Sequence, residues 1–208
     1  VDRTLQERAR ATRRSLLEAA ACLFAEQGYA GTSVNDISAR SGRTSGAIYF
    51  HYASKEGLAL AVVKDRFATW PALAAPYTDP AVPPLERLVA LSYEVARALA
   101  EDTVTRAGAR LWAERETIDA ELPDPFALWT TAATRLLAQA RTAGHLAPNV
   151  RPAATARTLV RAFFGLCTLT EALEGPQTVT DRLTDWWHLT LPSLQHGADP
   201  VDLVGRAA

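Results

Sequence analysis

"ARSGRTSGAIYFHY" occupies residues 39–52. Ser41-Gly42 stops one helix, Thr44 can cap the next, and the segment behind it mixes hydroxyls, a glycine and aromatics. It is too polar for a core helix and too apolar for a plain loop. Just upstream, "GTSVNDIS" offers Ser33 as an N-cap with Asp36 three residues on, and sets Val34 and Ile37 on one face of a short helix. Further upstream, Leu16, Ala20, Leu23 and Phe24 share a helical face that ends at Gly28. Three short helices with a tight "SGRT" turn between the second and third follow the helix-turn-helix pattern.

In that geometry the third helix enters the major groove of a duplex by its N-terminal residues. Thr44 and Ser45 then meet phosphates or base edges, and Gly46 lets the backbone come close. Tyr49 and His51 reach phosphate oxygens, and Lys55 adds charge at the start of the following helix. Ala47 and Ile48 anchor the helix on its own small core. Spacing alone also allows a plainer reading: a helical corner whose hydroxyls are caps and whose aromatics pack locally.

Residues 55–70, "KEGLALAVVKDRFATW", form a fourth helix that Ser54 can cap. It is apolar on two sides, so it is expected to touch two cores and to connect an N-terminal to a C-terminal unit. Five prolines in residues 71–84 must break the helical run. Beyond them, apolar stripes mark further helices: Leu85 to Leu99, Val104 to Trp112, Phe126 to Ala140, Leu159 to Cys167, and Leu183 to Leu194. No strand pattern and no repeat occurs, so the chain reads as all-α. The expected domains are 1–53 for the helix-turn-helix, 54–70 for the connector, 71–196 for a helical C-terminal domain, and 197–208 for a frayed tail.

The 208 residues carry a net charge of −1, which argues against a chain coated in basic residues. Residues 3–14 nevertheless hold five arginines against one glutamate. That local basic end fits an anionic partner touched at one end only, or simply solubilises a helix start. Cys22 and Cys167 lie far apart in helical patterns and read as buried apolar residues of a reduced, cytoplasmic protein. No run approaches the ~18 apolar residues of a membrane span, and the first residues show no signal-peptide pattern. A chain that starts at Val1 and holds no methionine is expected to lack its natural beginning. No HxxxH, cysteine pair, phosphate loop or nucleophile elbow is present, so an enzyme, a metal site and a cofactor are not expected. The carboxylates of "AERETIDAE", residues 113–121, are crowded enough to suggest a metal, but without a histidine nearby a solvated surface is the better reading.

Residues 20–58 carry a resemblance as well. "LFAEQGY", "TSVNDIS", "GAIYFHY" and "SKEGL" follow one another as in the DNA-binding domain of the TetR family of bacterial repressors. "TRAGARLWAERETIDAELPDPFALW" and "AATRLLAQARTAG" resemble the γ-butyrolactone receptor branch of that family. The resemblance implies a homodimer that binds palindromic double-stranded operator DNA and leaves it when a small lactone occupies the C-terminal domain. It places Ser33, Thr44, Ser45, Gly46, Tyr49, His51 and Lys55 at DNA-contacting positions. Relatives usually read Thr-Lys-Gly where this chain has Thr44-Ser45-Gly46, so Arg43 either restores the lost phosphate contact or reads guanine.

The resemblance also places Trp129 on the tryptophan that lines the ligand pocket, although by spacing alone it is a core aromatic. Around it fall Phe67, Leu88, Leu91, Leu111, Phe126, Phe163, Phe164 and Cys167. Arg66 falls near the pocket edge, where an inward guanidinium favours a ligand with a carboxylate or a more polar head, although a long charged side chain is usually solvated. The last two helices are expected to pair across the dimer through Trp186, Trp187 and Leu191, unless those tryptophans pack within the monomer. A second reading keeps the repressor but replaces the lactone with an antibiotic or another small molecule.

Overall fold

The computed structural model describes residues 2–124, 126–196 and 203–205, and only the backbone of residues 2, 3, 66, 67 and 69. The helices are α1 (Asp2–Gln27), α2 (Val34–Ser41), α3 (Ser45–Tyr52), α4 (Lys55–Ala74), α5 (Pro84–Glu101), α6 (Thr103–Ala113), α7 (Ala127–Thr142), α8 (Pro152–Glu174) and α9 (Val179–Leu194). Among the described residues the only β pairing is an isolated bridge between Leu146 and Gln195, so the all-α expectation holds. Of the expected tail, 197–202 and 206–208 lie outside the described residues.

Two helices outrun their sequence signals. α1 begins at Asp2, well before its apolar stripe, because Arg, Gln, Glu, Ala and Leu propagate a helix wherever nothing stops it. It ends where Gly28 turns left-handed at φ 76° and donates its N–H to the carbonyl of Phe24 at 3.0 Å. α4 passes through Pro71 and ends at Ala74, and a 3-10 turn over Ala75–Thr78 completes the break expected from the prolines.

Contacts divide the chain into two compact units. One comprises residues 1–70 and 102–125, the other 71–101 and 126–208. The first thus gathers α1, α2, α3, most of α4, and α6. Its core holds Leu16, Ala20 and Phe24 of α1, Ile37 of α2, Ile48 of α3, Leu58 and Val62 of α4, and Ala107 and Leu111 of α6. α6 was expected among the C-terminal helices, but its stripe is buried against α1. The second unit packs α5, α7, α8 and α9 together. Arg87, buried on α5, holds the 3-10 turn by donating to the carbonyl of Thr78 at 3.4 Å and reaches Oε1 of Gln139 on α7 at 2.8 Å.

Candidate nucleic-acid interface and buried aromatic site

The three-helix motif is built by its caps. Ser33 and Asp36 form the expected capping box, with Asp36 Oδ2 2.9 Å from the Ser33 N–H and Ser33 Oγ 3.1 Å from the Asp36 N–H. The bonds from Ser33 hold the Asp36 carboxyl below its ordinary pKa. α2 ends at Gly42 with φ 64°, and Thr44 caps α3 by accepting the Ala47 N–H at 3.3 Å. α3 then turns Ile48 and Tyr52 inward, and Tyr52 fixes it to α1 by donating its hydroxyl to the carbonyl of Arg13 at 2.7 Å.

The opposite face of α3 stays bare. Arg43, Thr44, Gly46 and Tyr49 are exposed, and Ser45 and His51 are partly so. Ser45 Oγ lies 3.4 Å from Oδ1 of Asn35, so it remains within reach of a partner. A Cβ at Gly46 would meet nothing nearer than Thr44 Oγ1 at 3.8 Å, so the fold itself does not require glycine there. Phe50, absent from the expected set, is 83% exposed and stands edge-on to His51 at 5.0 Å between ring centroids. It shares the Gly46 face at i+4 spacing, which was the sign that it belongs with the bare residues.

Two open hollows flank this face. One, of about 470 Å³, is lined by Thr32, Ser33, Tyr49, Ser54 and Lys55, so the N-terminal ends of α2 and α4 both open onto it. Backbone N–H groups at two helix starts make it suited to a phosphate. The other, of about 830 Å³, is lined by Arg10, Arg13 and Arg14 of α1, Phe50 and His51 of α3, and Lys64 of α4. Lys55, expected to bring charge to DNA at the start of α4, is also engaged within the fold. Its Nζ donates to the carbonyls of Tyr29 at 3.1 Å and Thr32 at 3.0 Å, and lies 4.0 Å from the centre of the Tyr29 ring. It chiefly fixes the start of α4 on the α1–α2 turn and leaves one N–H to the hollow.

In the second unit α7 and α8 bring four aromatics together. Trp129 stands edge-on to Phe163 at 4.4 Å and to Phe164 at 5.6 Å, and Phe126 meets Phe164 at 4.1 Å. Leu88, Ser92, Ala133, Leu159, Val160, Trp186 and Trp187 close the site around Trp129 and Phe163. An apolar cavity was expected here. The structure packs it nearly solid, leaving about 10 Å³, no more than one water needs.

Polar groups in the site are few. Trp187 donates its Nε1–H to Ser92 Oγ at 2.8 Å, and Ser92 donates on to the carbonyl of Val89 at 2.6 Å. Trp129 Nε1–H is buried and meets no acceptor among the described residues. Cys167 is buried beside this cluster, and burial pushes its thiol up to about 12, so it is a neutral apolar group. Ser92 was not among the expected residues, although a hydroxyl within the buried Leu88–Val95–Leu99 stripe was its mark.

The remaining expected residues separate. Leu91 is buried on α5 without lining the residual cavity, and Leu111 belongs to the core of the first unit. The side chains of Arg66 and Phe67 lie outside the described residues. Trp187 and Leu191, expected at a dimer interface, are fully buried inside their own unit, so neither presents surface to a partner. α9 turns its tryptophans toward α5, where Trp187 finds Ser92. Trp186 is partly buried, with its ring centroid 4.6 Å from that of Trp187. The large apolar groups left exposed on α8 and α9 are Leu169, Leu173 and Leu189.

Residues 16–62 match the family described as bacterial regulatory proteins of the tetR family, and residues 82–195 match the tetracyclin repressor-like C-terminal domain. The second match spans more than half of the chain. The chain belongs to the TetR family. TetR proteins are regulators rather than enzymes, and among the described residues no helix is long and apolar enough to cross a membrane. The A-factor receptor protein of Streptomyces griseus is 32% identical over 191 residues, covering 92% of this chain and 66% of that protein. A solved structure concerning control of antibiotic production by bacterial hormones is 42% identical, with a TM-score of 0.81, covering 89% of this chain and 98% of that one. The TetR protein CprB from Streptomyces coelicolor, solved with its biological operator sequence, is 30% identical, with a TM-score of 0.79 and 96% of each chain covered.

Proposed function

We propose that this TetR protein is a cytoplasmic repressor that binds a palindromic operator as a homodimer and releases it when a γ-butyrolactone-like molecule enters the aromatic site. The observation that carries the effector reading is the orphaned Nε1–H of Trp129 in an apolar enclosure. A buried donor without an acceptor costs about 1–3 kcal/mol, which an incoming acceptor recovers. A lactone offers acceptors and no donor at its carbonyl, and its alkyl tail suits the surrounding rings. Likeness to the A-factor receptor and to solved γ-butyrolactone receptors supports the same reading.

The closed packing supports a switch in which effector and operator favour different forms. An effector must part Trp129 from Phe163 to enter, so it binds an opened form and its apparent affinity falls by the fraction of molecules open. DNA binds the form whose recognition helices lie one duplex turn apart, ~34–36 Å. By linkage, effector then binds free protein more tightly than operator-bound protein. Leu169 and Leu173 on α8 with Leu189 on α9 give the twofold partner its contact surface.

Intrinsic tryptophan fluorescence, titrated with alkyl γ-butyrolactones, furans and antibiotics, tests the effector class. Saturable quenching by lactones supports the reading. Quenching by an antibiotic alone replaces the lactone with that class, and no response to any of them removes the effector role.

A further inference from the structure

The crowded carboxylates of residues 113–121 include one, the part-exposed Glu114, that turns toward the end of α1. Glu114 accepts the backbone N–H of Tyr29 at 2.6 Å and the Nε–H of Arg110 at 3.1 Å. Arg110 in turn donates through Nη1 to the carbonyl of Ala25 at 2.9 Å. Ala25 lies in the last turn of α1, whose carbonyls have no partner within the helix. The end of α6 therefore supplies both an acceptor and a donor to the end of α1.

Gly28 shows how closely the two ends meet. A Cβ there would lie 2.4 Å from a carboxylate oxygen of Glu114. Beyond Gly28 the bonds continue through Tyr29, whose hydroxyl donates to Glu56 at 2.6 Å and whose carbonyl accepts from Lys55. Lys55 also holds the carbonyl of Thr32, the residue before the Ser33 cap of α2. One chain of bonds thus runs from the end of α6 to the starts of α4 and α2. In the chain, α6 follows α5 after the single residue Asp102.

We propose that Glu114 and Arg110 are positioning residues for operator recognition: their lock on the end of α1 sets how the three-helix motif, and with it the recognition helix, is held on α6. The inference rests on the reading of the chain as a dimeric operator binder, and not on the identity of the effector. A charge-assisted acceptor that serves two donors at once is geometrically demanding. Glutamine keeps the shape of Glu114 but has one carbonyl oxygen, so it must turn its amide toward one of the two donors.

The test uses full-length protein and a duplex selected by the wild type from a random pool. Operator affinity is measured on the full palindrome and on a duplex holding one half-site. Glu114→Gln is expected to weaken full-site binding about tenfold while half-site binding stays within about twofold, because spacing rather than the contact surface is disturbed. Arg110→Lys, a milder change, shifts the same ratio in the same direction. Amide exchange at Tyr29 rises in both variants. If both duplexes weaken together, the role is merely structural and the inference fails, as it does if the ratio is unchanged. A wild type that selects no palindrome overturns this inference together with the dimeric reading. No lactone enters the experiment, so its outcome is separate from that of the effector titration.

Discussion

The indole N–H of Trp187 reaches the hydroxyl of Ser92 at 2.8 Å, whereas that of Trp129, lining the same small cavity, reaches no acceptor among the described residues. The two tryptophans thus hold opposite roles, one pinned and one with its donor unused. Ser92→Ala would orphan the first as well. The loss is expected at about 1–3 kcal/mol, or a Tm lowered by roughly 2–4 °C per kcal/mol in a chain of this size. Thermal melting followed by circular dichroism measures it, and an unchanged Tm would mean that the bond contributes nothing.

The joint between α3 and α4 makes a prediction that reverses a common rule. Ala53 sits at φ 65°, ψ −38°, and the Ser54 N–H donates across it to the carbonyl of Tyr52 at 2.8 Å. This is a γ-turn of the strained hand. It thrusts the Tyr52 carbonyl against α4, so that a Cβ at Gly57 would lie 2.0 Å from that oxygen. Glycine to alanine inside a helix ordinarily stabilises by about 1 kcal/mol. Here Gly57→Ala is expected to cost more than about 1.5 kcal/mol, while Ala53→Gly leaves stability unchanged or raises it by up to about 1 kcal/mol. Urea unfolding of the two variants checks the pair, and a stabilised Gly57→Ala would contradict the close approach.

Arg43 is exposed at the mouth of α3 and belongs to no ion pair among those the structure shows. Arg43→Ala is expected to lower the slope of log K against log salt by about 0.9 for each half-site if it holds a phosphate. If it reads guanine instead, the salt slope changes less and discrimination at one base pair falls by about 1–3 kcal/mol. Anisotropy titrations at several salt concentrations separate the two. No change in either quantity would remove Arg43 from the interface.

Leu173 and Leu189 are 79% and 80% exposed, whereas Trp187 is 2% exposed. Leu173→Glu combined with Leu189→Glu is expected to yield folded monomers in sedimentation, with Tm of the monomer little changed. Trp187→Ala acts on the protomer instead and costs about 3–5 kcal/mol of its stability. A double leucine variant that remains a dimer places the interface elsewhere.

The helix-turn-helix was the most legible part of the molecule because its signals are local. Ser33 with Asp36, Gly42, and Thr44 each act within a few residues, so the sequence near them dictates the turn. The Trp129–Phe163–Phe164 grouping was legible through the resemblance, since apolar spacing alone cannot separate a pocket wall from a core. Side-chain direction was the hidden part. The stripe Ala107–Leu111 shows that α6 is buried but not that α1 covers it. Adjacent Trp186 and Trp187 differ by about 100° around α9, and only the position of Ser92 decides which is buried. The internal bonds of Lys55 were hidden because the two carbonyls it binds lie more than twenty residues upstream.

In the proposed mechanism Trp129 is the acceptor-seeking group that an effector satisfies. The direct measurement is fluorescence anisotropy of an operator duplex titrated with alkyl γ-butyrolactones, using wild-type protein and Trp129→Phe. The wild type should release the duplex, and Trp129→Phe should bind it with unchanged affinity yet need at least about tenfold more lactone for release. Release of both proteins at the same lactone concentration would contradict the claim.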